Sequence, residues 1–177
     1  MLFRSTKADA SPVTVADQAA EQIVLEVVER FSPAFPVVAE ERVAAGHVPL
    51  CGEAFWLVDA LDGTREFIKG GSDFTVNVGF IQDALPVMGL VHAPARGETY
   101  FGAIAGDVRK AFVLRGGKRS PIAVRPRPAK VVITSSKSHE VPALMDPFLA
   151  KLDVAEKVVI GSSLKFCLVE IGRAHSE

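Results

Sequence analysis

The sequence predicts a mixed α/β protein in two parts: a strand-rich α+β unit over residues 1–128, then an α/β-patterned unit over residues 129–177. Three observations carry this expectation. A single helical period opens the chain, four short β-branched or aromatic runs follow between Phe74 and Leu114, and strand and helix patterns alternate from Ala129 to Ile171. Arg125-Pro126-Arg127-Pro128 reads as the boundary between the two parts.

The first helix is expected over Ala16–Phe31. Ile23, Val24, Val27, Val28 and Phe31 share one face, while Glu21, Gln22, Glu26, Glu29 and Arg30 mostly face away. Thr14 and Asp17 stand where side-chain oxygens satisfy the free donors of a helix start, and Ser32-Pro33 ends it. Pro36–Ala39 reads as a strand that delivers Glu40 and Glu41 at its end, and Arg42–Glu53 as loop. Ala54–Val58 is apolar on both faces, as a central strand is, and it too ends in acid at Asp59. A short helical stretch to Lys69 follows Ala60-Leu61-Asp62-Gly63-Thr64.

Phe74–Ile81, Val87–His92, Thr99–Ile104 and Lys110–Leu114, parted by Gly, Pro or Asp turns, form a mostly antiparallel meander. Arg115–Lys130 carries six basic residues and no acid. It reads first as a solvated hairpin and second as a rim facing a polyanion. The second part then runs as strand Ala129–Thr134, helix Val141–Leu152, strand Val158–Ile160 and a helix from Ser162-Ser163 that carries Leu164, Phe166, Cys167, Leu168 and Ile171.

Composition narrows the function. The 177 residues include 20 basic and 21 acidic side chains, a formal charge of -1, with 49% hydrophobic and 23% charged residues. That balance excludes disorder as the main state and lacks the electrostatic footprint of a nucleic-acid binder. Apolar runs such as Ala84–Val91 fall far below the ~18 residues of a membrane span. Met1-Leu2-Phe3-Arg4-Ser5-Thr6 has no apolar core, so no secretory signal is expected. Two cysteines without a Cys-x-x-Cys pair fit a reducing cytoplasm, with Cys51 and Cys167 expected as buried small hydrophobes. The expected location is cytoplasmic, at most peripheral to the inner face of the membrane.

Several familiar chemistries drop out. Gly117-Lys118 lacks the first glycine and the Ser/Thr of a P-loop, no Gly-x-Gly-x-x-Gly turn follows a strand, and the four histidines have no metal-ligand spacing. Gly161-Ser162-Ser163 is no nucleophile elbow. What remains is a set of strand-end carboxylates, Glu40, Glu41, Asp59 and Asp62, with Asp17 near the first helix. Acids gathered in this number repel one another unless cations neutralise them, and hard oxygen donors suit Mg²⁺. Gly63 allows close backbone approach at a helix start able to hold a phosphate, and the Thr64 hydroxyl can orient a water. Two metals bridged by these acids would activate that water. Each piece also has a purely structural explanation: Asp-Gly as a tight turn, Thr64 as a cap, Glu-Glu as a solvated pair.

Trp56-Leu57-Val58-Asp59-Ala60-Leu61-Asp62-Gly63-Thr64-Arg65-Glu66-Phe67 resembles the Asp-Pro-Leu-Asp-Gly-Thr signature of the inositol monophosphatase superfamily. Lys7-Ala8-Asp9, Ser11-Pro12-Val13-Thr14, Asp17, Glu40-Glu41, Glu66-Phe67-Ile68 and Gly161–Cys167 are similar, more narrowly, to the CysQ-type 3'(2'),5'-bisphosphate nucleotidases, and the likeness runs from Lys7 to Val169. The resemblance implies the layered α+β sugar-phosphatase fold, with the second unit an incomplete α/β domain. It implies two or more Mg²⁺ ions held by Glu40, Asp59, Asp62 and the carbonyl of Leu61. Asp17 and Thr64 match the pair that activates water, with Glu41 counted among the catalytic residues. Gly63 and Thr64 match the cradle of the scissile phosphate, and His139, Ser162 and Lys165 the part that holds a second phosphate.

Without the resemblance, Ser162 and Lys165 read equally as a helix cap and a solvated lysine, and His139 and Lys7 as surface residues. The implied reaction is Mg²⁺-dependent hydrolysis of adenosine 3',5'-bisphosphate to AMP and phosphate. A broader inositol- or sugar-phosphate phosphatase, or an inactive metal- or anion-binding fragment, are the alternatives. Implied partners are a small nucleotide bisphosphate, no nucleic acid and no integral membrane segment.

Departures accompany the likeness. Ala60 replaces the signature proline, and Lys137 stands where the family usually has arginine, keeping charge but losing a planar fork. The family's first helix has no match before Lys7, nor has its Trp-Asp metal motif after Val169, and residues 170–177 do not resemble it. The chain as printed is therefore expected to be a gene fragment with little phosphatase activity.

Overall fold

Phase and spacing of apolar residues translate into two main sheets. The computed structural model describes residues 4–6, 12–124, 126, 128–137, 142–171 and 175–176. β1 (Arg4–Thr6) and β2 (Pro12–Thr14) form a short antiparallel pair that leads into α1 (Val15–Phe31). Thr14 caps α1: its hydroxyl accepts from Ala16 N, while Asp17 reaches back to the Thr14 N–H in a capping box.

The face α1 buries differs from the expected one. Leu25 and Val28 are buried, and Ala20 and Val24 pack beside them, but Ile23, Val27 and Phe31 are exposed. Glu21, expected to face away, is buried at 4% exposure, and Asp17 at 3%. The helix is rolled so that two carboxylates one turn apart point inward, and hydrogen bonds to both remove the cost of burying them.

β3 (Val37–Ala39) precedes α2 (Glu40–Ala44), so the first turn of the expected 42–53 loop is helical. β4 (Ala54–Asp62) runs through Asp59 to Asp62 instead of ending at Asp59. α3 (Thr64–Ile68), β5 (Thr75–Gln82), β6 (Leu85–Ala93), a 3-10 turn at Pro94–Arg96, β7 (Glu98–Ala105), β8 (Val108–Arg115) and β9 (Lys118–Pro121) follow. The seven-stranded sheet has the order β3-β4-β5-β6-β7-β8-β9, parallel at β3/β4 and antiparallel elsewhere. β8 and β9 form the hairpin expected in the basic stretch, and its Lys118 and Arg119 are solvated.

β10 (Val131–Ser136), α4 (Pro142–Leu149), β11 (Val154–Ile160), α5 (Leu164–Glu170) and β12 (His175–Ser176) complete the chain. The order β11-β10-β12 is all parallel, as the alternating pattern requires. One core packs α1 on β3 and β4 through Leu25, Val28, Val37 and Val58. Another joins the second sheet to the first: Leu164, Cys167 and Ile171, with Ile160, pack on Ala93, Tyr100 and Val113. Burial pushes the Cys167 thiol up to about 12, so it is an inert hydrophobe, whereas Cys51, expected buried, is exposed in the loop before β4. Among the described residues no helix is long and apolar enough to cross a membrane.

Candidate active site

Parallel pairing of β3 with β4 sets Ala39 opposite Val58, so the next residues, Glu40 and Asp59, emerge side by side at one sheet end. A β-bulge then re-aims Asp62. Asp59 pairs with Asn77 and Asp62 with Thr75, so three steps along β4 match two along β5, and the extra residue turns both aspartates to one face. Glu40 and Asp59 share a hydrogen bond. Burial first, then Glu40 and then Asp62, pushes the Asp59 carboxyl up to about 7. Among the described residues no group of three His, Cys, Asp or Glu side chains stands close enough to hold a metal ion. Asp62 instead accepts the Ser163 N–H at 2.6 Å. The groups at this sheet end are carboxylates and the Leu61 carbonyl, oxygen throughout, which in type suit a hard divalent cation.

Asp17 and Thr64, 47 residues apart, are joined. The Thr64 hydroxyl lies 2.9 Å from Asp17 Oδ1 and 3.2 Å from the Leu61 carbonyl. The other Asp17 oxygen accepts the Thr14 N–H at 2.7 Å and the Thr14 hydroxyl at 2.6 Å, which fixes the carboxylate. Gly63 starts α3 with φ +91, and a Cβ there would stand 2.8 Å from the Asp73 carbonyl and 3.3 Å from Ser162 Cβ. No other residue fits this turn without displacing backbone. The contact brings Ser162, itself at φ +54, against the start of α3. Lys165 Nζ donates to the Ser162 carbonyl at 2.5 Å. Glu41 enters the cluster through its N–H, which donates to Glu21. His139 and Lys7 lie outside the described residues, as do Arg125 and Arg127 of the boundary.

Sequence reasoning named Ser163 as a helix start and Lys137 as a departure from the family, but missed the second layer they help to build. Ser163, on the turn before α5, donates its N–H to Asp62, its hydroxyl lies 2.7 Å from Asn77 Oδ1 and it meets Thr75 Oγ1 at 2.9 Å. Thr75 is fully buried. Asp73, 3% exposed, accepts from Arg96, from Lys137 at 2.5 Å and from the Gly161 N–H at 3.3 Å, and Lys137 also reaches Glu66 at 3.5 Å. Isolated polar residues in separate segments give no periodic signal, so only Glu21, one turn after Asp17, could have been singled out.

Burial alone raises the Asp73 carboxyl, but Lys137 and then Arg96 outweigh it and hold it below its ordinary 3.8. Its contribution to stability is therefore full above 3.8 and lost as pH falls through the lowered native value. Urea midpoints measured from roughly pH 5 to pH 2 should fall less steeply in Asp73→Asn than in the unaltered protein. Equal slopes would contradict the assignment.

The model of the inositol monophosphatase family matches residues 3–176. The 3'(2'),5'-bisphosphate nucleotidase CysQ of Salmonella typhimurium is 44% identical over 169 residues, covering 95% of this chain and 66% of that protein. The CysQ of Escherichia coli K12 is 42% identical over 170 residues, covering 96% and 66%. Among solved structures, CysQ from Bacteroides thetaiotaomicron, described as a bacterial member of the inositol monophosphatase family, superposes with a TM-score of 0.74 at 32% identity, over 94% of this chain and 66% of that one. The chain thus spans about two thirds of the length of the relatives it matches.

Proposed function

The chain belongs to the inositol monophosphatase family, and from that premise we propose that the full-length protein is a Mg²⁺-dependent phosphomonoester hydrolase that converts adenosine 3',5'-bisphosphate to AMP and phosphate. The observation that carries the reading is the Thr64–Asp17 hydrogen bond beside the Glu40, Asp59 and Asp62 acids. The nucleotide substrate is supported by the names of the relatives just described.

Glu40, Asp59, Asp62 and the Leu61 carbonyl would hold two or more Mg²⁺ ions. Bound there, the ions would supply Lewis acidity toward the phosphoryl oxygens and lower the pKa of a bound water. The chain's residues do the rest. With its hydrogen on Asp17, the Thr64 oxygen accepts a hydrogen bond from the attacking water. As the water oxygen bonds to phosphorus, its proton passes to Thr64 while the Thr64 proton passes to Asp17. The ester P–O bond breaks with its electron pair on the leaving oxygen, which takes a proton from a solvent water, and the hydroxide so formed takes the proton held on Asp17. Glu41 completes the acidic end. Gly63 lets the backbone donors at the start of α3 approach the reacting phosphate, and Ser162, Lys165 and His139 take the second one. Two free cysteines support a cytoplasmic place for this activity.

Phosphate release by the full-length protein from nucleotide bisphosphates, inositol phosphates and sugar phosphates tests the reading. A preference for adenosine 3',5'-bisphosphate is expected, equal turnover of the others would make it a broad phosphatase, and no release would overturn it. Lys165→Ala should lower kcat/KM about 10–100-fold for the bisphosphate, the loss of one charge-assisted contact, and leave a simple monophosphate nearly unchanged. Equal losses on both would assign Lys165 to the reacting phosphate.

A further inference from the structure

We propose that Glu21 is a positioning residue that sets the acidic turn Glu40-Glu41 against the water-activating Asp17, and so governs divalent-cation affinity. The inference rests on the functional reading above. α2 is five residues long and its N-cap, Ala39, offers no side-chain oxygen to the free N–H groups. Glu21 takes the place of that cap from another helix. Its Oε2 accepts the Glu41 N–H at 2.7 Å and its Oε1 the Arg42 N–H at 3.0 Å.

This arrangement does more than cap a helix. A buried carboxylate is costly unless its oxygens are satisfied, and here one side chain satisfies two donors of the turn that carries Glu40 and Glu41. The negative charge also suits the positive end of α2. Asp17 and Glu21 are four residues apart on the inward face of α1. One rigid helix therefore holds, through Asp17, the Thr64 hydroxyl and, through Glu21, the backbone that aims Glu40 toward Asp59. A Glu21 that served stability alone would leave cation affinity to the ligands themselves. A Glu21 that sets their direction makes affinity depend on a side chain that never touches the ion, as partners behind metal ligands do.

The test measures Mn²⁺ binding, as a paramagnetic stand-in for Mg²⁺, by electron paramagnetic resonance on the full-length protein. Unaltered protein, Glu21→Gln and Glu26→Gln are compared; Glu26 is exposed on the same helix and accepts from Gln22 Nε2 one turn before it. Gln keeps the size of Glu21 but turns an NH2 toward one of the two N–H donors. The expected result is a Kd raised about 10-fold or more in Glu21→Gln and unchanged in Glu26→Gln. The thermal stabilisation given by saturating Mg²⁺ should shrink in the same variant.

Amide exchange on the unaltered, cation-free protein gives a measurement that needs no substitution. The Glu41 and Arg42 N–H groups should already be protected. Protection of those two amides only after cation is added would overturn the proposal, as would equal Kd values in folded Glu21→Gln and unaltered protein. If the unaltered protein binds no Mn²⁺, the functional reading fails and takes this proposal with it.

Discussion

Thr64→Val is expected to lower phosphate release from adenosine 3',5'-bisphosphate by about 10²–10⁴-fold in the full-length protein, the range for losing a positioned proton-transfer group. Valine keeps the branched shape at the first position of α3 but has no hydroxyl to bridge a water and Asp17. The loss should fall on kcat, because the hydroxyl acts on the attacking water while the Thr64 main chain, which valine leaves in place, stays in the phosphate cradle with Gly63. Mn²⁺ affinity should be close to that of the unaltered protein, since the side chain contributes no ligand. Asp17 keeps two hydrogen bonds from Thr14, so unfolding free energy should drop by only about 1–3 kcal/mol. Thr64→Ser should recover most of the rate. Activity of Thr64→Val within tenfold of the unaltered protein would contradict the role given to the hydroxyl.

Gly63→Ala should be the most destabilising of the single substitutions considered. The left-handed backbone at φ +91 costs about 1–2 kcal/mol with any Cβ, and forcing that Cβ within 2.8 Å of the Asp73 carbonyl adds about 1–3 kcal/mol. The total, roughly 2–5 kcal/mol, corresponds to a melting temperature about 5–15 °C lower in a protein of this size. The nearest neighbours are main chain, so relief requires the start of α3 and the Asp73–Phe74 backbone to part, and catalysis should fall with stability. Gly46→Ala provides the control: φ is +87 there too, but nothing lies within 4 Å of the added Cβ, so only the backbone penalty applies. Equal melting temperatures in the two variants would show that the close contact at Gly63 has no energetic weight.

The inventory of elements and reactive groups is legible from residue order alone. Short β-branched or aromatic runs between turn residues marked most strands of the meander, the parallel strands of the second sheet followed from their alternation with helices, and Asp59-Ala60-Leu61-Asp62-Gly63-Thr64 stood out because its residue types suit a phosphate and a cation. Local rules suffice there, since strand pattern and turn chemistry depend on neighbours in the chain. The roll of α1 lay beyond them: Ile23, Val27 and Phe31 form as good an apolar stripe as Leu25 and Val28, and only the hydrogen bonds offered by Thr14, Thr64, Glu41 and Arg42 favour the face that buries Asp17 and Glu21. The bulge between Asp59 and Asp62 was equally hidden, because register belongs to a pair of strands. The Ser163 and Asp73 networks join residues 101 and 88 positions apart, and a polar side chain carries no mark of a partner that far along the chain. Residue chemistry names the groups able to act; which of them face one another is decided by hydrogen bonds that exist only once the sheets and helices have packed.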